Sequence, residues 1–222
     1  MGTDVEVLEN TIRSRVTEKV LGSLESRKPV PASLESIYRT KIESALRTAG
    51  WAPFHYPRDV DGLAEPWRAH ILWNSEVRDL SRFLSEELGL TSKEPQLAAA
   101  CSALVVVTWL PEETDSVSGE TARKVSERNR EHLAATSAMV QNFLLLMTAQ
   151  GIGNYWSSGG AIRSKEVFAA LGIPPTEHLL AAVFLEYPEM KDLTQGQVER
   201  KSGGLRERRS MGWLRTVSEF RS

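Results

Sequence analysis

The stretch that decides the fold is LLLMTAQGIGNYWSSGG, residues 144–160. Its apolar first half continues a helix, and Gly151 ends that helix because glycine adopts the left-handed conformation without a Cβ penalty. Beyond it, Tyr155 and Trp156 stand beside two serines and two glycines. Backbone amides in such a turn can closely approach a flat or anionic ligand. The composition therefore predicts a cofactor-binding loop after a buried helix.

Apolar stretches around this loop predict a central sheet of three strands, over residues 67–73, 104–110 and 178–187. The spacing of apolar residues predicts helices over 5–16, 34–49, 75–88, 121–149 and 165–171. Helices interleaved with strands indicate an α+β, or layered α/β, domain. The helix is apolar almost all round over 133–149, which predicts burial on all sides, either centrally or between subunits.

Composition sets limits on class and partners. A chain of 222 residues suits one domain over 1–222, and its net charge of −2 predicts no general attraction to nucleic acid or an anionic membrane. The single cysteine, Cys101, excludes an intramolecular disulfide, favours a reducing cytoplasm and is expected to be buried and inert. No apolar run reaches membrane-spanning length, so we expect a soluble protein. The histidines are scattered without metal-ligand spacing, so no metal site is predicted.

Three further stretches occur in order along the chain: AGWAPFHYPRD (49–59), EPWRAHIL (65–72) and ALVVVTW (103–109). With the Gly-x-Gly-x-x-Trp turn after the buried helix, they resemble the nitroreductase family of FMN-dependent oxidoreductases over nearly the whole chain. The resemblance implies a mostly antiparallel central sheet flanked by helices. It also implies a homodimer that exchanges a C-terminal strand, for which residues 213–217 are the candidate.

The resemblance also implies a phosphate-binding motif, because family members open with a helix that ends in a pattern like Arg-x-Ser-x-Arg. Four residues follow that pattern, with Thr in place of Ser and Lys in place of the second Arg: Arg15, Val16, Thr17 and Lys19. Taken alone, they are more typical of solvated charges on a surface helix, and only their context in the chain makes the two interpretations equal. A competing register uses Arg27 and Lys28, but it puts Pro29 where a hydroxyl donor is needed. The resemblance also implies a second contact with the phosphate, from the C-terminal part of the chain. The basic tail offers three candidates for it: Arg206, Arg208 and Arg209.

The flavin ring has candidates in two places. The stretch at 49–59 resembles a family segment, Ala-Pro-Ser-x-x-Asn-x-Gln-Pro-Trp, that reaches the flavin, often from the other subunit. Here Phe54 replaces the Ser, Glu65 replaces the Gln, and residues including Arg58 are inserted, while His55 is the candidate ring contact. Loops over 54–66 and 111–120 are expected to be flexible and near the active site. The second candidates, whose amides would face the ring, are Trp156, Ser157 and Ser158.

The leading functional hypothesis is an FMN-dependent oxidoreductase that uses NADH or NADPH to reduce nitroaromatics, quinones or related acceptors by a ping-pong mechanism. The flavin supplies the chemistry, so no acid–base constellation of side chains is required. The expected partners are a second copy of the chain and a small electron acceptor. One alternative is a flavin-binding or regulatory protein without turnover. Another is an interaction domain on the same scaffold that binds no flavin.

Overall fold

The computed structural model describes residues 2–113, 122–204, 208–210 and 212–217. Its strands, in chain order, are β1 (Glu18–Leu21), β2 (Trp67–Leu72), β3 (Ala103–Trp109), β4 (Gly153–Ser157), β5 (His178–Glu186) and β6 (Glu199–Ser202). One antiparallel sheet has the order β2, β3, β5, β4, and β1 pairs with β6 in a separate two-stranded sheet. The expected antiparallel central sheet is confirmed.

Helices cover both faces of the central sheet. In chain order they are α1 (Asp4–Ser14), α2 (Ala32–Ala49), α3 (Asn74–Arg82), α4 (Lys93–Ala100), α5 (Ala122–Ala149), α6 (Lys165–Leu171) and α7 (Pro188–Leu193). Helices α2 and α5 pack on one face, while α3, α4 and α6 pack on the other. A π-helical turn, Phe83–Glu87, extends α3. None of the helices in the described part of the chain has both the length and the hydropathy to span a bilayer.

Strand β3 shows how one strand joins two cores. Its side chains alternate between the faces of the sheet. Val105 and Val107 belong to the core shared with α2 and α5, whereas Leu104 and Val106 belong to the core shared with α3, α4 and α6. Each of these four side chains is 0% exposed. Full burial of such a side chain contributes about 1.5–3 kcal/mol, so the apolar run stabilises both layers together.

The central sheet has one strand more than the sequence analysis predicts. Strand β4 lies inside the stretch interpreted as a turn, and its residues pair with β5 from Gly153 opposite Glu186 to Ser157 opposite Ala182. Gly151 has the left-handed φ of 72° expected of a helix end. The glycines and serines of this stretch favour a turn, which is why the strand was not predicted. Tyr155 and Trp156, in the middle of the strand, are residues that favour β structure. The turn begins only after Ser157.

Both ends of the chain differ from the expected elements. Helix α1 ends at Ser14, two residues earlier than predicted, and none of its residues is buried. Two four-residue strands, EKVL and ERKS, form the small sheet, and both are too short for the apolar pattern used to find strands. The described residues 212–217 form no strand in this single chain, and Trp213 is 73% exposed. Strand exchange therefore stays a prediction.

The long helix α5 is not buried on all sides within the single chain, which excludes central burial and leaves burial between subunits as a prediction. Met139, Phe143 and Met147 lie at or below 1% exposure and form its inner face. On the outer face Leu133 is 38% exposed and Gln141 is also exposed. Polar residues interrupt the apolar surface there, so the fold of one chain covers only part of the helix.

The loop over 54–66 is tied to the sheet by two arginines. Arg58 Nε donates to Leu110 O at 2.9 Å, and Arg68 Nη2 donates to Val60 O at 2.8 Å. An isolated bridge joins Val60 to Leu63 within the loop. These hydrogen bonds hold part of the loop, which was expected to be flexible, against the end of β3. Of the other expected loop, 111–120, only residues 111–113 lie within the described part of the chain.

Candidate cofactor site

The proposed phosphate motif spans the junction between α1 and β1. Arg15 caps α1, where its backbone N–H donates to Thr11 O at 3.1 Å, and the chain then turns into β1. Thr17 precedes the strand, and Lys19 lies within it. The pairing of β1 with β6 places the C-terminal segment beside this motif, since Gly203 N donates to Thr17 O at 3.1 Å.

A cavity of about 410 Å³ brings together residues from both ends of the chain and from β4. It is lined by Arg15, Val16, Thr17, Lys19, Tyr155, Gly203, Gly204 and Arg209. All four motif residues predicted from the N-terminal sequence are present, together with one of the predicted C-terminal arginines. Glycine suits the back wall, because a Cβ on Gly203 would lie only 3.0 Å from the Cβ of Thr17.

Tyr155 connects this cavity to the central sheet. Lys19 Nζ lies 4.6 Å from the centroid of the Tyr155 ring, a cation–π contact. The same ring stacks on Phe184 of β5, with centroids 6.0 Å apart. Tyr155 was not among the proposed site residues, although the alternation of a strand through NYWSS would have placed it on the same face as Ser157.

The same alternation separates Trp156 from Tyr155. Trp156 packs against the core of α2 and α5, whereas Tyr155 packs against the core on the opposite face. The expected aromatic pair is therefore divided between two faces, and the Trp156 side chain does not line the cavity around Arg15. Its proposed role through a backbone amide stays a prediction.

Beyond β4 the chain makes the expected tight turn. Ser157 Oγ accepts a hydrogen bond from Gly159 N at 3.1 Å, and Arg163 donates to the carbonyl of Ser158. Gly159 has a φ of 98°, and a Cβ there would lie 2.1 Å from Leu179 Cδ2. The turn thus has a defined conformation that requires glycine, with Ser158 exposed.

The competing register for the phosphate motif finds no support in the geometry. Arg27 is only 2% exposed and donates to Ser102 Oγ at 3.4 Å and to Lys28 O at 3.1 Å. Burial lowers the pKa of its guanidinium. Burial also raises the pKa of the neighbouring Cys101 thiol to about 12, and the expected burial of this cysteine is confirmed. Arg27 does not line the cavity around Arg15.

Three other proposed residues fall outside that cavity or outside the described chain. His55 is exposed in the 54–66 loop, and Arg208 is exposed without lining the cavity. Arg206 lies outside the described residues. The residues that do meet fit the phosphate of FMN, because a dianion requires several cations and hydrogen-bond donors together. Arg15, Lys19 and Arg209 provide the cations.

Comparison with known proteins identifies the family to which this fold belongs. The model of the nitroreductase family matches residues 33–185, so the chain belongs to the nitroreductase family. A curated relative from Bacillus subtilis (strain 168), named "Putative NAD(P)H nitroreductase YfhC", is 29% identical over 196 residues, which are 82% of this chain and 85% of the relative.

Solved structures share the fold at low sequence identity. A nitroreductase-like family protein from Bacillus cereus is 20% identical, with a TM-score of 0.56 over 84% of this chain and 87% of its own. A nitroreductase with bound FMN from Bacteroides fragilis is 17% identical, with a TM-score of 0.51 over 81% and 87%. Nitroreductase CinD from Lactococcus lactis, solved with nicotinic acid, is 14% identical, with a TM-score of 0.56 over 84% and 90%.

Proposed function

We propose that this protein is an FMN-dependent oxidoreductase that uses NADH or NADPH to reduce small acceptors such as nitroaromatics, quinones or unsaturated carbonyls. The observation that carries the proposal is the cavity in which Arg15, Lys19 and Arg209 meet, within a nitroreductase-family fold. The bound FMN of the Bacteroides fragilis structure and the NAD(P)H in the name of the Bacillus subtilis relative support the same assignment.

The side chains around the cavity would bind and orient the cofactor. Arg15, Lys19 and Arg209 would neutralise the phosphate, while Thr17 offers a hydroxyl donor. The turn after β4 would present the backbone of Ser157 and Ser158 to the ring. When bound, FMN supplies the hydride-transfer chemistry, and the protein supplies binding, orientation and electrostatics. No acid–base side chain is needed for this division of labour.

The proposed reaction has two half-reactions, and their two substrates occupy the same binding site one after the other. The nicotinamide would bind, give up its hydride and leave before the electron acceptor enters, which is a ping-pong order. In the homodimer that belongs to this proposal, the exposed His55 would reach the cofactor of the partner. A cytoplasmic location is part of the same proposal and rests on the single cysteine.

The visible spectrum of the purified protein, followed by anaerobic titration with NADH and with NADPH, tests the proposal. We expect flavin absorbance that bleaches with at least one nicotinamide and returns when a quinone or nitroaromatic is added. Flavin that neither nicotinamide bleaches would contradict turnover and favour a flavin-binding protein without activity. A colourless protein that does not bind added FMN would contradict the whole proposal and favour an interaction domain.

A further inference from the structure

A second cavity, of about 470 Å³, lies between α6 and the start of β5. Phe168 and Ile173 are buried in its lining, and Leu179 is half-buried there. No residue of this lining also lines the cavity around Arg15. Pockets of about 300–1,000 Å³ hold small organic ligands when an apolar lining surrounds a few polar groups. Its size and apolar floor therefore suit a small molecule.

The polar group at the buried end of this cavity is Glu177, which is only 6% exposed. His70 Nε2 lies 2.7 Å from its Oε2, and Thr108 Oγ1 donates to the same oxygen. Burial acts to raise the pKa of Glu177, but the hydrogen bonds with His70 and Thr108 outweigh it and the pKa is lowered. The carboxylate is therefore ionised at neutral pH. Both contacts use Oε2. No described residue makes a hydrogen bond to Oε1, so this oxygen could accept one from a ligand.

The rim of the same cavity carries the opposite charge. Arg163 and Lys165 line it and are both exposed. The Arg163 guanidinium also donates to Ser158 O, so it is held beside the turn that follows β4. A purely cationic ligand would be attracted by Glu177 but repelled by this rim. A purely anionic ligand would be attracted by the rim but repelled by Glu177.

We propose that this cavity binds a small amphoteric molecule, with an ammonium group on Glu177, an apolar body on Phe168, Ile173 and Leu179, and an acidic group at Lys165. Each part of such a ligand meets a group of matching chemistry. A buried carboxylate with one uncommitted oxygen gains a charge-assisted hydrogen bond from an ammonium group. We expect binding in the absence of FMN, because no residue that lines this cavity also lines the cavity around Arg15.

Isothermal titration calorimetry of the purified full-length protein with three matched probes tests this proposal. The first probe, 4-(aminomethyl)benzoate, carries both charges. The second, 4-methylbenzoate, lacks the ammonium group, and the third, 4-methylbenzylamine, lacks the carboxylate. We expect the amphoteric probe to bind at least about tenfold more tightly than either of the others, because each loses one charged hydrogen bond. Equal binding of the three probes, or no binding of the first, would overturn the proposal.

Two variants, each with a matched control, assign the charges to residues. Glu177→Gln should reduce the affinity for 4-(aminomethyl)benzoate to that for 4-methylbenzoate, whereas Glu166→Gln, outside the cavity lining, should leave it unchanged. Lys165→Met should reduce it to that for 4-methylbenzylamine, whereas Lys124→Met should not. Unchanged affinity in either cavity variant contradicts the proposal, and the exposed Lys165 tests it even if Glu177→Gln fails to fold.

Competition distinguishes this site from the proposed cofactor site. The amphoteric probe should bind with the same affinity in the presence of excess FMN. Displacement by FMN would overturn the proposal of a separate site. It would leave the proposed oxidoreductase function intact, since the spectral titration above tests that function without the probe.

Discussion

Arg15 and Arg209 come from opposite ends of the chain and line the same cavity. Their proximity depends on the pairing of β1 with β6, which places the segment after β6 beside the residues that follow α1. A guanidinium group donates strong charge-assisted hydrogen bonds to a phosphate. Under the proposed function, the affinity for FMN should therefore be sensitive to substitution of both side chains.

Replacing Arg15 with Ala should weaken FMN binding about tenfold or more, because a hydrogen bond to a charged group contributes about 1.5–3 kcal/mol. Fluorescence titration with FMN measures the change, and circular dichroism checks that the fold is retained. The control is Arg13→Ala, which removes an exposed arginine paired with Glu9 on the same helix. Unchanged affinity in Arg15→Ala would reject the assigned register.

The two C-terminal arginines should behave differently. Arg209 lines the cavity and Arg208 does not, so Arg209→Ala should weaken FMN binding about tenfold while Arg208→Ala should leave it nearly unchanged. The same fluorescence titration applies to both variants, which have equal charge and adjacent positions. If Arg208→Ala caused the larger loss, the geometry of the C-terminal contact would be wrong.

The element that joins β4 to α6 is a turn held by its own hydrogen bonds and by a glycine. Gly159 contributes its N–H to Ser157 Oγ and has a φ of 98°. Leu179 of β5 occupies the space where a Cβ would project. The turn is therefore tied to the central sheet, which gives the proposed ring contacts a rigid support.

Replacing Gly159 with Ala should lower the free energy of unfolding by about 2–3 kcal/mol, because both backbone strain and the contact with Leu179 act against it. Gly172→Ala is the control: its φ is also positive, but its Cβ would meet nothing within 4 Å. We expect about 1 kcal/mol for that variant. Urea denaturation measures both, and equal losses would show that the contact with Leu179 is relieved without cost.

The segment after β3 is anchored to α5 through Glu112. Arg128 Nε donates to its Oε2 at 2.6 Å, and His132 Nε2 lies 2.9 Å from its Oε1. Asn129 holds the backbone of Glu112 by two further hydrogen bonds. Burial acts to raise the pKa of Glu112, but the contacts with Arg128 and His132 outweigh it and the pKa is lowered. The ionised carboxylate thus joins strand to helix.

Replacing Glu112 with Gln should lower the free energy of unfolding at pH 7 by about 1–3 kcal/mol, since two charge-assisted contacts are weakened. A folded-state pKa below the unfolded value gives stability that is present above the unfolded pKa and is lost as the pH falls through the folded pKa. The difference from the natural protein should therefore shrink below about pH 4. Urea denaturation at pH 7 and below about pH 4 measures this difference in the free energy of unfolding, with the exposed Glu113→Gln as control. A pH-independent difference would contradict the role of the ionised Glu112 carboxylate.

The whole molecule leaves several apolar surfaces uncovered. Val5 and Leu8 of α1 are 66% and 56% exposed, Trp51 is 89% exposed, and Val217 near the C-terminus is 81% exposed. Scattered apolar residues are normal on protein surfaces, but here they occur on a helix without buried residues, beside an incompletely covered α5 and in the C-terminal segment. A second copy of the chain would cover such surfaces in a symmetric dimer.

We expect an obligate homodimer whose assembly is coupled to cofactor binding. Analytical ultracentrifugation of dilute, flavin-loaded protein should show a species of twice the 24.7 kDa chain mass. The Trp213→Ser variant, which alters the proposed exchanged segment, should weaken the dimer. A stable flavin-loaded monomer would show that one chain completes the site.

The layered fold and the motif residues could be predicted from local pattern, and the remainder could not. The apolar run at 104–110 is specific enough to identify β3, and Gly172 marks the end of α6 as expected. Strands β1 and β6 are too short for such a signal, since each has four residues and only their pairing with each other identifies them. Gly203 and Gly204 line the cavity only because they follow β6, so no local sequence pattern could identify them.

Side-chain periodicity in the amino-acid sequence by itself predicted the layered fold, because periodicity is a local property. The resemblance of its short motifs to the nitroreductase family implied the antiparallel sheet and the proposed phosphate motif at Arg15. Tertiary structure decided which of those residues meet. Only the pairing of distant segments could select Arg209 over Arg208, add β4 to the central sheet beside β5, and bury Arg27 away from the cavity. These outcomes depend on contacts between residues far apart in sequence, which local pattern does not encode.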